Sequence, residues 1–328
     1  MSPALALACC LALTPAPEPG RIEVTGGSGG TSVTAYGYAD IEAGAPVTPE
    51  TVFRLSSLTK SFTAVAVLTL VQDGRLGLDD TIGQLLPDTL PAWRDITVEQ
   101  LLNQTSGLSG DMTPILRDIT RDWTPVQMIQ ALAGIPPQAP PGQAFAYSNL
   151  NYWLLGRIIE ARSGQPYWSY MGERLFAPLG LTHLMPGETA VLIPHRARGY
   201  VRDADGGLSN APYFSGTIGY AAGGLVGTAL DLALWHRALS EGRVLEPDLL
   251  SLLGRSGQTS GGPTGYGMGW YVEEEVGGVT LHHGGSSPGF RSCVFWIPGD
   301  GRFAAVLANS EDGGEPCEVA RRLLNQAR

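Results

Sequence analysis

Phe53-Arg54-Leu55-Ser56-Ser57-Leu58-Thr59-Lys60-Ser61-Phe62 carries an apolar strand end straight into the first turn of a helix. Phe62, Ala66 and Leu70 then recur at helical spacing, and Gly74 supplies the stop, so a helix is expected over 57–73. Residues three apart in a helix share a face, which puts Lys60 directly beneath Ser57. The first turn also carries unpaired N–H groups and partial positive charge. That field suits a developing oxyanion and disfavours a protonated amine, so a desolvated Lys60 there can accept the serine proton. The composition singles out the same residue. Lysine and arginine together number 21, and Lys60 is the only lysine. Arginine keeps its proton in proteins, whereas a buried lysine can lose it.

Outward from this helix the pattern changes twice. Residues 21–55 alternate and are glycine-rich, as antiparallel strands joined by tight turns are. From 75 to about 210, helical pieces such as Val98–Thr105, Leu150–Ser163 and Tyr167–Phe176 are broken by Pro and Gly, and 189–216 reads as loop. Beyond 219, Thr228 and Asp231 form a capping box for a helix through Leu239. Strands are expected at Gly265–Val272, Val279–His282, Arg291–Ile297 and Phe303–Asn309, with a terminal helix at Glu318–Ala327. Strands at both ends and helices between predict an α+β fold. An antiparallel sheet built from 20–56 and 215–328 is flanked by helices, and a mostly helical domain, 57–214, is inserted.

The chain has 328 residues, 43% hydrophobic, with mean hydropathy +0.03, which is ample for a buried core. A net charge of −10 repels phosphate backbones and disfavours a nucleic-acid partner. No apolar run reaches the ~20 residues a membrane span needs. Ala4–Leu13 has the length of a signal-peptide core, within a leader of 1–19, although no Lys or Arg precedes Arg21. Cleavage near Ala16 and lipid attachment at Cys9 or Cys10 are the two alternatives, and neither site matches its pattern well. The expected location is extracytoplasmic, periplasmic or secreted, with a cytoplasmic one left open. In an oxidising compartment Cys293 and Cys317 can pair, and two buried thiols fit equally well.

Two further segments carry chemistry. Tyr147-Ser148-Asn149 precedes the helix at Leu150, where Asn149 can act as cap. Leu281-His282-His283-Gly284-Gly285-Ser286-Ser287-Pro288-Gly289-Phe290 follows a strand. Within it, Gly285-Ser286-Ser287-Pro288-Gly289 mimics the G-x-S-x-G elbow. The elbow needs an N–H on the residue after its nucleophile, and Pro288 has none. The five histidines form no metal-binding spacing, and Gly26–Gly30 is a turn rather than a dinucleotide fingerprint.

Taken together, Ser57-x-x-Lys60, Tyr147-x-Asn149 and the histidine-glycine strand, in that order, resemble the three motifs of the penicillin-recognising serine hydrolases. That superfamily includes class C β-lactamases, DD-peptidases, D-aminopeptidases and related esterases. The resemblance spans roughly residues 30 to 310. It implies Ser57 as nucleophile and Lys60 with Tyr147 as general base and acid, the phenol shuttling a proton within the field of Lys60. It further implies Asn149 on the lysine and the substrate amide, and an oxyanion hole from the N–H groups of Ser57 and Ser286. The third element is His283-Gly284-Gly285 or, shifted by one, His282-His283-Gly284. It is expected on an edge strand, where bare glycines such as Gly285 let substrate backbone approach. Many relatives have lysine where His283 stands. A histidine, neutral or partly charged, holds a carboxylate less firmly and turns the expectation from β-lactamase toward esterase or peptidase. Gln104 and Tyr220 are candidates for lining the pocket. The resemblance implies no metal and no organic cofactor, and a small-molecule or peptide substrate. The alternatives are a class C-like β-lactamase and a homologue that binds β-lactam or peptide without turnover.

Overall fold

The computed structural model describes residues 17–188, 190–275, 278–312 and 315–327. The leader expected at 1–19, with Cys9 and Cys10, lies almost wholly outside them. Six antiparallel strands form the main sheet: β1 (Arg21–Gly27), β2 (Gly30–Tyr36), β3 (Tyr271–Glu275), β4 (Gly278–Ser287), β5 (Phe290–Trp296) and β6 (Phe303–Ala308). They are ordered β3-β4-β5-β6-β1-β2, so both ends of the chain meet in one sheet. Every residue of β6, Phe-Ala-Ala-Val-Leu-Ala, is buried, because helices cover both faces of the sheet at its centre. β2 is an exposed edge, and its Gly-Thr-Ser-Val-Thr-Ala-Tyr composition matches.

Four principal helices complete the frame: α1 (Thr59–Gln72), α2 (Asn149–Ser163), α3 (Ala229–Ser240) and α4 (Pro316–Gln326). α1 is buried from Thr59 to Leu70, which explains why it is apolar on every side rather than on one stripe. It packs against α2 and the short helix Tyr220–Gly223. α3 starts at Thr228, whose hydroxyl accepts from the Asp231 N–H at 3.1 Å, as the capping box predicts. α4 lies on the opposite face, over Phe295, Ala304 and Val306. Cys293 and Cys317 are joined as a disulfide, tying α4 to β5.

The structure is the α+β arrangement expected, with differences of detail. The strand expected at Gly265–Val272 begins only at Tyr271, because Gly265 and Gly269 adopt φ of +73° and +83°, incompatible with a strand. The segment 189–216, expected as loop, contains a hairpin of Tyr200–Arg202 and Leu208–Asn210. Part of the expected helical insertion also joins the strands. Met185–Pro186 pairs with Leu225–Gly227, which in turn pairs with Phe53–Arg54. β4 is an inner strand, not an edge. β3 pairs with it only as far as His282, so one side of His283–Ser287 carries no strand.

Candidate active site

Strand Phe53–Arg54 ends beside Val226 and Gly227, and the chain turns through a 3-10 segment, Ser56–Leu58, into α1. Ser56 holds φ +51°, a conformation unfavourable for a residue with a side chain. That turn places Ser57 one helical step above Lys60. The Lys60 amine lies 3.2 Å from Ser57 Oγ, 2.7 Å from Asn149 Oδ1 and 2.8 Å from the Ala222 carbonyl oxygen.

This set of partners is compatible with a neutral amine. The two carbonyl oxygens can only accept, and a hydroxyl can accept or donate. A neutral amine has two N–H groups for the two carbonyls and keeps its lone pair for the Ser57 hydroxyl. Lys60 is fully buried, and burial pulls its proton affinity well below the usual lysine range. The rings of Tyr147 and Tyr152 stand 4.8 and 5.6 Å from the nitrogen and wall it from water.

Tyr147 reaches the same serine through its hydroxyl. Burial pushes its phenol above the ordinary tyrosine value, with the bond to Ser57 opposing only in part. Burial therefore outweighs any acidifying influence on the phenol. Near neutral pH the phenol is a proton donor. Asn149 is not the cap expected of it. Ser148 takes that position, and Asn149 opens α2 with its amide nitrogen donating to Met112 Sδ at 2.7 Å and its oxygen on Lys60.

The two histidines separate as adjacent strand residues must. His282 turns to the outer face, 3.1 Å from Glu273 and stacked on Phe295. His283 faces the site, its ring 6.0 Å from that of Tyr147. Burial, reinforced by Lys60, holds its pKa at about 3. A neutral His283 donates from Nδ1 to the Gly284 carbonyl at 2.6 Å and accepts at Nε2 from the Tyr266 hydroxyl at 3.2 Å. Both nitrogens are used internally, so the partly charged contact with substrate expected for His283 is corrected to a buried, neutral support.

Three more expectations are corrected. A Cβ at Gly285 would fall 2.3 Å from the Leu55 carbonyl and 2.3 Å from Ser292 Oγ. The glycine is needed so that β4 can press against the turn that carries Ser57. Gln104 is completely buried. Its side-chain oxygen accepts from Ser148 N–H at 2.9 Å and from Asn151 at 2.5 Å, while its carbonyl accepts from Ala146 N–H at 2.9 Å. It pins the Tyr147–Asn149 loop from behind rather than lining the pocket. Tyr220 is likewise buried, donating to Glu160 at 2.7 Å.

Ser57, Asn149 and Ser286 do line one open cleft of about 350 Å³, whose wall includes Leu116, Ile119 and Ile218. The residues missed in the sequence are Met112, Tyr266 and Ala222. Ala222 acts through its backbone carbonyl, to which no side-chain pattern points.

A buried lysine under a serine, a tyrosine on that serine and a cleft beside a bare strand edge sit on a β-lactamase/transpeptidase-like fold. The chain belongs to the Beta-lactamase family, whose profile matches residues 22–328. Penicillin-binding protein 4 of Amycolatopsis lactamdurans is 31% identical over 293 residues, covering 84% of this chain and 76% of that protein. Protein flp of Staphylococcus aureus is 30% identical over 84% of this chain. This chain spans only 56% of flp, about half the length of such curated relatives. Among solved structures, D-amino acid amidase from Ochrobactrum anthropi SV3 superimposes with a TM-score of 0.78 at 30% identity, covering 89% of this chain and 87% of that one.

Proposed function

We propose that the protein hydrolyses an ester or amide carbonyl through an acyl-enzyme on Ser57. Lys60 takes the serine proton as Oγ attacks the carbonyl carbon. The N–H groups of Ser57 and Ser286 hold the oxyanion. Tyr147 donates a proton to the leaving alkoxide or amine as the carbonyl–leaving-group bond breaks, and is reprotonated from Lys60. Water, deprotonated by the same amine, then cleaves the acyl ester and returns the proton to Ser57. Asn149 orients the amine and the substrate amide. Gln104 keeps Tyr147 and Asn149 in place, and His283 supports the floor of the site.

The observation that carries this reading is the fully buried Lys60 amine, with two carbonyl acceptors and Ser57 Oγ within 3.2 Å. A neutral His283 offers no charge to the carboxylate of a penicillin. That favours short-chain esters and D-configured amides over β-lactams, and the likeness to a D-amino acid amidase supports the same choice. The Cys293–Cys317 disulfide supports an oxidising, extracytoplasmic location. Among the described residues no helix is long and apolar enough to cross a membrane.

Mass spectrometry after a fluorophosphonate tests the nucleophile, and a panel of p-nitrophenyl esters, D-amino acid amides, D-alanyl peptides and nitrocefin tests the substrate. A label on Ser57 with turnover of esters or D-amides is expected. No label, or nitrocefin as the best substrate, overturns the respective part. A permanent penicillin adduct without turnover of any of the panel would identify a binding homologue instead.

A further inference from the structure

Next to the Ser57 cleft lies a second cavity of about 380 Å³, and Phe214 and Pro288 belong to the walls of both. Three arginines line it, Arg54, Arg196 and Arg198, and no carboxylate does. In a chain of net charge −10 this is a local reversal of sign. Arg198 is neutralised by Asp40 and Glu42. Arg54 and Arg196 have no acidic partner among the described residues. Arg54 donates to the Phe214 carbonyl at 2.9 Å, and Arg196 to the Glu188 carbonyl at 2.9 Å. Each guanidinium has five N–H donors, so several remain unspent on both.

The two cations also disfavour each other. Burial and the charge of Arg196 lower the pKa of Arg54 to about 10, which still leaves it charged at neutral pH. Two uncompensated, partly desolvated guanidiniums in one cavity are costly unless an anion joins them. Arginine forks match a carboxylate by paired N–H···O bonds. The chain itself bounds the backbone separation from the nucleophile. Arg54 and Ser57 are three residues apart, and three residues span at most about 11 Å.

We propose that Arg54 and Arg196 form a subsite for a carboxylate carried by the substrate several bonds from the carbonyl that Ser57 attacks. This rests on the reaction proposed above and deepens it: the preferred substrates are acyl groups or peptides with a distal free carboxylate.

The test compares mono-p-nitrophenyl esters of the C4 to C8 dicarboxylic acids with the same esters methyl-capped at the far end. For at least one length the free acid should exceed its capped partner by about tenfold or more in kcat/KM. Arg196→Gln should abolish that preference and leave turnover of the capped ester within about twofold. Arg196→Lys should restore part of the preference. Arg196 is chosen because Arg54 also holds Phe214, and its loss could disturb the loop. Equal rates for free and capped esters at every length, or a preference untouched by Arg196→Gln, overturns the subsite while leaving the hydrolase reading intact. Should neither ester turn over and no fluorophosphonate label Ser57, the reaction reading falls. Calorimetry of the wild type with free suberate then decides the subsite: binding abolished by Arg196→Gln supports it, and no binding overturns it.

Discussion

Replacing Lys60 by Met tests the protonation state on which the chemistry depends, without using any substrate. Methionine keeps most of the buried stem and removes the amine. In the unfolded chain a lysine titrates near 10.5, whereas in the fold Lys60 is buried with no carboxylate and its pKa lies well below that. Between the folded pKa and 10.5 the unfolded chain binds one more proton than the native one. Stability therefore rises with pH across that window, by about 1.4 kcal/mol per pH unit from this group alone. Below the folded pKa both states hold the proton, and the full desolvation cost is present. Above 10.5 neither does, and the cost is gone. Lys60→Met lacks the contribution at every pH. Every other titrating group is shared, so the difference between the two proteins isolates Lys60. Urea unfolding of both at pH 8.0 and 9.0 should show the wild type gaining stability relative to the variant as the pH rises. The same preparations should differ about 100- to 10,000-fold in ester hydrolysis, the usual worth of a positioned general base. Parallel pH dependence of stability would mean that Lys60 has the same charge folded and unfolded throughout this range, and would refute a neutral amine as the base. Undiminished hydrolysis by Lys60→Arg, which stays charged, would refute it independently.

Gly285→Ala should cost about 1–3 kcal/mol by overpacking and lower activity by pushing β4 off the Ser57 turn, read by thermal unfolding and ester assay. Gln104→Ala leaves the Ser148 N–H without its acceptor; a loss of about 1–3 kcal/mol and a fall in kcat larger than the rise in KM are expected, with Gln104→Glu recovering part of the stability. The His283 ring, with a pKa near 3, should show no titration by NMR between pH 5 and 8, and no limb of the activity profile in that range should shift in His283→Gln. Reducing the Cys293–Cys317 disulfide, which closes a separation of 24 residues, should lower stability by about 3 kcal/mol and leave room-temperature activity in place, since the bond joins α4 to the outer face of the sheet.

Much of the frame was legible because local pattern and tertiary role agree. The Ser57–Asp73 helix, the Thr228 cap and the strands near 291–297 and 303–309 follow from periodicity and turn chemistry, which are properties of neighbours in the chain. The lone Lys60 three residues after Ser57 likewise places the amine beneath the hydroxyl through helix geometry alone. Errors gathered where a residue's task depends on something distant in sequence. Gly285 reads as a bare edge but exists to let Leu55 approach. Gln104 reads as a pocket residue but serves the Tyr147 loop. The strand at Gly265 fails because Gly269 must bring its backbone against Lys60, where a Cβ would sit 2.9 Å from the Lys60 carbonyl.

By itself the sequence determined the order of elements, the pairing of Ser57 with Lys60 and the family to which they belong, because each rests on spacings of a few residues. Tertiary structure alone decided the charge states. Whether Lys60 and His283 hold protons depends on how deeply they are buried and which carbonyls meet them. Ala222 and Asn149 reach Lys60 from 162 and 89 residues away. Desolvation is a property of a filled volume, and no linear pattern specifies which volume a side chain will share.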